Sequence, residues 1–257
     1  MLAVDSHAHG NVADLKVSPQ EYMDQCRERG VEGIVLISRP ENVLEAREKC
    51  GDFVIPVGLI EMDRTGAKEV ASYIGNGCKG IKMIRPKAPY SHEKYYHIYE
   101  TISQLDAVAV FHTGYLMRRS EPDYVTDINH MRPAHLDTIV RRFPELKVLM
   151  AHFGNPWWEE AWKIAWANPN IYADLSGGTA IRRSISMWQE TFAPNGELHT
   201  ESFSKLCFGS DVTYFRQNFT FEPYMEFYEK LYDAVDAPDA LREKVNRGNI
   251  LSLFGIE

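Results

Sequence analysis

The sequence predicts an α/β fold of the (β/α)8, or TIM-barrel, type. Three observations predict it. Eight short runs rich in Val, Ile, Leu and Phe recur along the 257 residues, apolar almost throughout, as strands buried on both faces must be. Stretches with helical period and helix start and stop signals lie between them, so strand and helix alternate from end to end. Histidines and an aspartate sit at the ends of several runs, where a closed parallel barrel gathers its strand ends at one mouth.

The strands are expected at residues 2–6, 33–38, 54–61, 79–85, 108–113, 147–152, 171–175 and 206–209. Ser18-Pro19-Gln20-Glu21 reads as a capping box with Pro at the first helical position, and Gly30 as the stop of that helix. Pro40 opens a second helix that ends near Gly51. Residues 92–105, 133–143, 157–167 and 223–235 have helical period and length, and 240–254 reads as a closing pair of short helices. No Ser/Pro-rich linker, charge block or fixed-period repeat divides the chain, so residues 1–257 are expected to form a single TIM-barrel domain. Two connections are long, 114–131 and 177–204. They read equally as lids or specificity loops over the mouth and as surface insertions without a role.

Composition narrows the function classes. An apolar fraction of 44% with 12% aromatic residues supplies a packed core and excludes a disordered chain. The net charge of −8 argues against a nucleic acid or an anionic membrane as partner, because both want clustered Lys and Arg. A small anionic substrate held by one or two local arginines stays open. Cys26, Cys50, Cys78 and Cys207 are scattered without a CxxC pair, and are expected as free buried thiols. Residues 2–5 already read as a strand, leaving no room for a signal peptide, and no apolar run approaches the roughly 18 residues of a membrane span. A cytoplasmic location is the expectation. The barrel's outer face would suit a homodimer, though no stripe in the sequence shows one.

The chemistry sits at the strand ends. Asp5-Ser6-His7-Ala8-His9 closes the first run, and the two-residue period of a strand puts His7 and His9 on one face. His112 ends the fifth run, His152 the sixth and Asp211 the eighth. Any one of these histidines alone reads more simply as a core residue. Together, imidazoles and a carboxylate converging on one mouth suit a divalent first-row metal, zinc above all, with manganese as the second choice.

The ordered set His7-x-His9, His112, His152, Asp211 resembles the amidohydrolase superfamily. The similarity is to the amidohydrolase-related (amidohydrolase 2) branch, which also holds aminocarboxymuconate-semialdehyde-type decarboxylases. It extends over essentially the whole chain and includes Gly80-Ile81-Lys82, the phrase Ala151-His152-Phe153-Gly154-Asn155-Pro156-Trp157, the phrase from Asn170 to Gly177, and the tail from Asn249 to Phe254. The resemblance implies a metal-dependent hydrolase type of barrel with one divalent ion held by His7, His9, His112 and Asp211. Asp211 would also take a proton from a water on that ion, whose acidity the ion brings near neutrality. His152 would act as general acid, base or electrophile beside the substrate. Binuclear members of the superfamily carry a carbamylated lysine at the end of the fourth strand. Lys82 lies near that end, but the branch usually holds one metal, so Lys82 reads as a buried charge facing the site, with Glu61 and Asp174 as candidate partners. Arg85, Arg118 and Arg119 are candidates for a substrate carboxylate, and Trp157 and Trp158 for a pocket wall. Asp5 reads as an orienting or turn-capping residue, and His92, His97, His130, His135 and His199 as surface residues.

The functional expectation is hydrolysis of an amide, lactone or ester in a small molecule. Its alternative is a non-oxidative decarboxylase acting on a small carboxylic acid, because the same metal ligands serve both reactions. A TatD-like nuclease and a non-catalytic metal-binding scaffold rank lower. The first wants a glutamate ligand where Lys82 stands, and the second would be expected to have lost at least one ligand.

Overall fold

A computed structural model describes residues 1–116 and 127–256. Its centre is one sheet of nine parallel strands. They are β1 (Ala3–Gly10), β2 (Val31–Ser38), β3 (Val54–Glu61), β4 (Gly80–Ile84), β5 (Val108–His112), β6 (Lys147–Ala151), β7 (Ile171–Asp174), β8 (Leu206–Cys207) and β9 (Val212–Tyr214). Neighbours follow in sequence from β8 to β1, and β9 pairs with the other side of β1. The eighth stave of the barrel is therefore two half-strands. β8 bonds to β7, β9 bonds to β1, and the four residues between them cross the gap. That crossing is itself bonded to β1: Ser6 N–H donates to the Phe208 carbonyl at 2.8 Å and Asp211 N–H to the His7 carbonyl at 2.7 Å. The sheet thus closes into the expected TIM-type barrel.

The helices are α1 (Pro19–Glu28), α2 (Pro40–Cys50), α3 (Ala67–Gly75), α4 (Tyr96–Gln104), α5 (Ala134–Arg142), α6 (Trp158–Ala167), α7 (Ile185–Phe192), α8 (Thr200–Phe203), α9 (Glu222–Ala234), α10 (Asp239–Glu243) and α11 (Asn249–Leu253). Ser18 caps α1 by accepting from Glu21 N–H, but the Glu21 carboxylate accepts from Gln25 rather than completing a reciprocal box. Three helices lie outside the sequence reading. α3 starts after Gly66, a residue without a capping side chain, and the Glu69 carboxylate accepts from Gly66 N–H instead. α7 and α8 fill the long connection after β7.

The two-residue period sorts each strand into an outer and an inner column. Ile34, Leu36, Ile81, Met83, Ala109, Phe111, Val148 and Met150 face the helices. Val35, Ile37, Ile55, Val57, Val108, Val110, Leu149 and Ala151 form a separate inner core, closed at one end by Ile250, Leu253 and Phe254 at the end of the chain. Each fully buried aliphatic side chain there contributes about 1.5–3 kcal/mol. The same alternation carries Lys82, His112 and Asp174 inward, one step beyond the apolar layer. The inner column is apolar at the plugged end and ionisable at the other.

Asp5 holds the closure together. It is fully buried, and its Oδ1 accepts from His7 N–H and Ser210 N–H, both at 3.0 Å. Its Oδ2 accepts from the hydroxyls of Ser210 and Tyr214, at 2.5 and 2.9 Å. Burial raises its pKa to about 6 against the pull of those four donors. One side chain thereby ties β1 to both halves of the eighth stave. The four cysteines are free and buried. No helix among the described residues is long and apolar enough to cross a membrane.

Removing that side chain strands four buried donors. Asp5→Ala is expected to destabilise the protein by about 3–5 kcal/mol, because buried donors that lose their acceptor keep their full desolvation cost. Calorimetry should show a melting point lower by roughly 6–20 °C at this chain length. A drop under 2 °C would remove Asp5 as the clamp.

Candidate metal centre at the barrel mouth

β1 delivers His7 and His9 to the mouth, and the end of the broken stave delivers Asp211. The Asp211 backbone is left-handed, with φ of +67°, which bends the chain inward after Ser210. His152, at the end of β6, has the same φ of +67°. Left-handed backbone is costly for residues with a Cβ and concentrates at functional sites. Two glycines make room. A Cβ on Gly209 would lie 2.8 Å from Ser6 Oγ and 2.9 Å from Asp174 Cβ. Gly177, with φ of +89°, lies against His152 Nδ1 and Asp211 Oδ2.

The ligand atoms of His7, His9 and Asp211 lie within 4.8 Å of one another. His9 Nε2 is 3.0 Å and His7 Nε2 3.6 Å from Asp211 Oδ1. Each ring's other nitrogen is engaged. His9 Nδ1 donates to the Ile37 carbonyl at 2.8 Å. His7 Nδ1 is 3.3 Å from Asp174 Oδ2 and 3.2 Å from Ser176 Oγ. A neutral imidazole that donates through Nδ1 presents a lone pair at Nε2. Two imidazole nitrogens and a carboxylate oxygen thus converge on one point, a donor set that fits a cation. His7 Nε2 is buried without a hydrogen-bond partner among the described residues, and so is His112 Nε2.

A second group, His7, His152 and Asp174, overlaps the first. Its hydrogen bonds give it a different character. Asp174 Oδ1 accepts from the backbone N–H groups of His152 at 2.9 Å and Ser176 at 3.0 Å. Ser176 Oγ lies 2.9 Å from His152 Nδ1 and 3.2 Å from His7 Nδ1. Asp174 and Ser176 thus fix the rings of His7 and His152 from behind. A carboxylate that anchors a ligating histidine sets its tautomer and orientation.

Protonation states suit a metal. Burial, reinforced by the Lys82 charge, lowers the pKa of His7 to about 3. Burial and the neighbouring His152 push His112 well below the ordinary imidazole range. His152 is lowered by burial too. Burial opposes the charge on Asp211, yet its hydrogen bond to His9 and the adjacent imidazoles hold it ionised, below the usual carboxylate range. Asp174 is held low in the same way by His7 and by its backbone donors. The residues present fit a divalent ion, with neutral nitrogens and ionised oxygens as the donor set.

His112 stands slightly apart. Its ring centre is 4.6 Å from that of His152, and it lines the same cavity, but it is not in the tight group with His7, His9 and Asp211. Lys82 lies beneath, 2% exposed, its Nζ without a hydrogen-bond partner among the described residues. Asp174 and Asp211 act on it only through their charge, and burial lowers its pKa to about 8. Glu61, the other partner considered for Lys82, ion-pairs with Arg64 and lies 3.7 Å from Arg85. Arg85 therefore sits beside Glu61 rather than among the residues described as lining the cavity. Trp157 does not line the cavity either; its ring lies under the Arg132 guanidinium, and Asn155 takes the expected place. Trp158 faces Arg183 on the outer side. Arg118 and Arg119 lie outside the described residues.

Five lining residues lie outside the sequence reading: Tyr115, Leu116, Gly178, Thr179 and Arg182. Ser176 was visible only inside a matching phrase, with no role attached. Their one sequence signal is that they follow β5 and β7, where the connections are longest.

A parallel barrel with imidazoles and a carboxylate at its mouth defines the class: a barrel whose mouth gathers a donor set that fits a divalent ion. The chain belongs to the amidohydrolase family Amidohydro_2, whose model matches residues 4–256. No curated protein matches it significantly. Among solved structures it is similar to an uncharacterized TIM-barrel protein from Bordetella bronchiseptica, at 17% identity over 99% of this chain and 100% of that one, with a TM-score of 0.68. It is also similar to a dihydroxybenzoic acid decarboxylase from Polaromonas sp. JS666 with bound manganese and the inhibitor 2-nitroresorcinol, at 15% identity, 99% and 97% coverage and a TM-score of 0.66. A third is 5-carboxyvanillate decarboxylase from Sphingomonas paucimobilis, at 11% identity, 100% and 99% coverage and a TM-score of 0.66. These likenesses are of fold.

Two measurements follow from this geometry. Elemental analysis of protein purified without chelator should find stoichiometric zinc or manganese, lost in His7→Ala and Asp211→Ala. Asp174→Asn should keep the stoichiometry and weaken affinity roughly 10- to 100-fold, the usual effect of losing a carboxylate behind a ligating histidine. Equal metal affinity in all three variants would dissolve the centre. The second concerns Lys82. A buried base with a lowered pKa binds fewer protons folded than unfolded between about pH 8 and 10.5, so its contribution to stability rises across that window. Metal-free Lys82→Met should lack this rise and be more stable at pH 7 by about 1–3 kcal/mol. Denaturant titrations at pH 7 and pH 10 check both, and a less stable variant would mean that the ammonium is well paired.

Proposed function

We propose that the chain is a metal-dependent hydrolase that cleaves an ester, lactone or amide bond in a small anionic molecule. The observation that carries this reading is the placement of Asp211. Its Oδ1 lies among the nitrogens of His7 and His9, and its side chain remains one-third exposed to the cavity. A carboxylate so placed holds a metal and meets water at the same time, which hydrolysis requires and decarboxylation does not.

One divalent ion, zinc in the first place and manganese in the second, would be held by His7, His9 and Asp211, with His112 turned toward the same space. Such an ion supplies Lewis acidity at the reacting bond. The remaining roles belong to side chains. Asp211 accepts the proton that an attacking water gives up. His152, its Nδ1 held by Ser176, offers Nε2 to the leaving group as acid or to the carbonyl oxygen as donor. Lys82 adds positive charge beneath the site, where negative charge builds during attack on a carbonyl. Asp174 holds the His7 ring and the His152 backbone in place. Asp174 Oδ1 is already filled by two backbone N–H groups, which argues for a single ion rather than two.

Decarboxylation is the second reading. It is favoured by the two decarboxylases that share the fold over nearly the whole chain, one of them with manganese bound.

Isotope labelling separates the two. Zinc- or manganese-loaded protein would be offered lactones, esters, amides and aromatic carboxylic acids. In H2¹⁸O, hydrolysis puts one labelled oxygen into the product acid. In D2O, decarboxylation puts deuterium on the carbon that loses CO2. His152→Asn should lower kcat by roughly 10²–10⁴ with metal content unchanged, the range for a positioned general acid–base group. Labelled CO2 loss with no hydrolysis would overturn the first reading in favour of the second.

A further inference from the structure

We infer that Arg182 is the residue that selects the substrate, by binding a carboxylate that the reaction leaves intact. The inference rests on the hydrolase reading of the same cavity. That cavity has a volume of about 310 Å³, enough for a molecule of one ring and a few substituents. Its described lining has one anion, Asp211, and one cation, Arg182. Tyr115 and Leu116 form an apolar wall, and Gly177 to Thr179 form the opposite rim.

Arg182 is held in place by its backbone and left free at its head. It ends a short turn, Ala180–Arg182, whose Ala180 is buried. Ala180 N–H donates to the Gly177 carbonyl at 3.2 Å, and Trp188 Nε1–H donates to the Ala180 carbonyl at 3.1 Å. The turn is thus pinned to both the metal-site glycine and α7. The two consecutive arginines then part. Arg183 lies over the Trp158 ring at 4.7 Å, outside the mouth. Arg182 lines the mouth, and its side chain forms no ion pair or hydrogen bond among the described residues.

Charge balance points the same way. Asp174 and Asp211 carry two negative charges, which a divalent ion cancels. Lys82 at the floor and Arg182 at the rim then remain as a positive surplus. A planar guanidinium binds a carboxylate through two parallel hydrogen bonds, and fixes orientation as well as charge. A substrate anchored at Arg182 lays its apolar body along Tyr115 and Leu116 and presents its reacting bond to Asp211 and His152. The preferred class is a small cyclic or aromatic ester, lactone or amide that bears a separate carboxylate.

Benzoate and its neutral isostere benzamide test this by calorimetric binding to metal-free and zinc-loaded protein. Wild type should prefer benzoate in both forms. Arg182→Gln should weaken benzoate binding roughly 10- to 100-fold and leave benzamide unchanged, with Arg182→Lys recovering part of the loss. Near-ultraviolet circular dichroism and zinc content should match wild type in both variants. Equal binding of the two probes to wild type, no measurable benzoate binding, or a benzoate affinity indifferent to Arg182→Gln would each overturn the inference. Zinc uptake and oxygen labelling do not depend on Arg182, so the hydrolase reading stands or falls separately.

Discussion

The structure depends on how the barrel closes. An unbroken eighth strand would carry residue 211 along the sheet, and side chains on a regular strand point alternately in and out. Here the stave breaks between Cys207 and Val212, and the left-handed turn at Asp211 sends its carboxylate across the mouth to His7 and His9. Asp5 makes the break tolerable. Its two oxygens take the donors that the interrupted ladder exposes at His7, Ser210 and Tyr214. Closure and candidate metal site are therefore one construction, and the residue that closes the barrel is not among those that converge there.

A second constraint is electrostatic. The interior layer above Val110 and Ala151 contains Lys82, His7, His112 and Asp174, all nearly out of reach of water. Burying so many ionisable groups is expensive unless they are paired. The network settles the cost unevenly. Asp174 is satisfied by two backbone donors and by the His7 ring, while among the described residues Lys82 Nζ and the Nε2 atoms of His7 and His112 are not. Unsatisfied nitrogens gathered in one layer mark the place where folding stability is given up for chemistry.

The sequence made much of this legible, for physical reasons that can be named. Two-residue alternation placed His7 with His9, and the resemblance set Lys82 as a buried charge facing the site with Asp174 as a candidate partner; the strand period explains why both face inward. Apolar runs located all eight staves, since strands buried on both faces are apolar but for the few residues that reach the mouth or its closure. What escaped was set by geometry that no local pattern encodes. The break in the eighth stave follows from left-handed backbone at an aspartate, and nothing in Phe208-Gly209-Ser210-Asp211 distinguishes that turn from a strand end. α7 and α8 were hidden within a connection that lacks strong start signals. Trp157 looked like a wall of the pocket because it follows β6 at the mouth. Its ring instead packs under Arg132, while the smaller Asn155 reaches the cavity.

Arg85 and Arg182 show the same limit from the other side. Both are arginines after strand ends, and composition cannot rank them. Arg85 meets Glu61, which stands at the end of the neighbouring strand β3, so the sheet register draws it to the rim. Arg182 has no such neighbour among the described residues, where the turn that carries it projects from the long connection after β7 and is tied down through its backbone. A long loop is the part of a barrel that register does not dictate. The staves and the Asp5 clamp can thus stay constant while residues on that loop change which molecule the mouth accepts. In this chain the candidate catalytic groups are placed by the sheet, and the group proposed to select the substrate is placed by the loop.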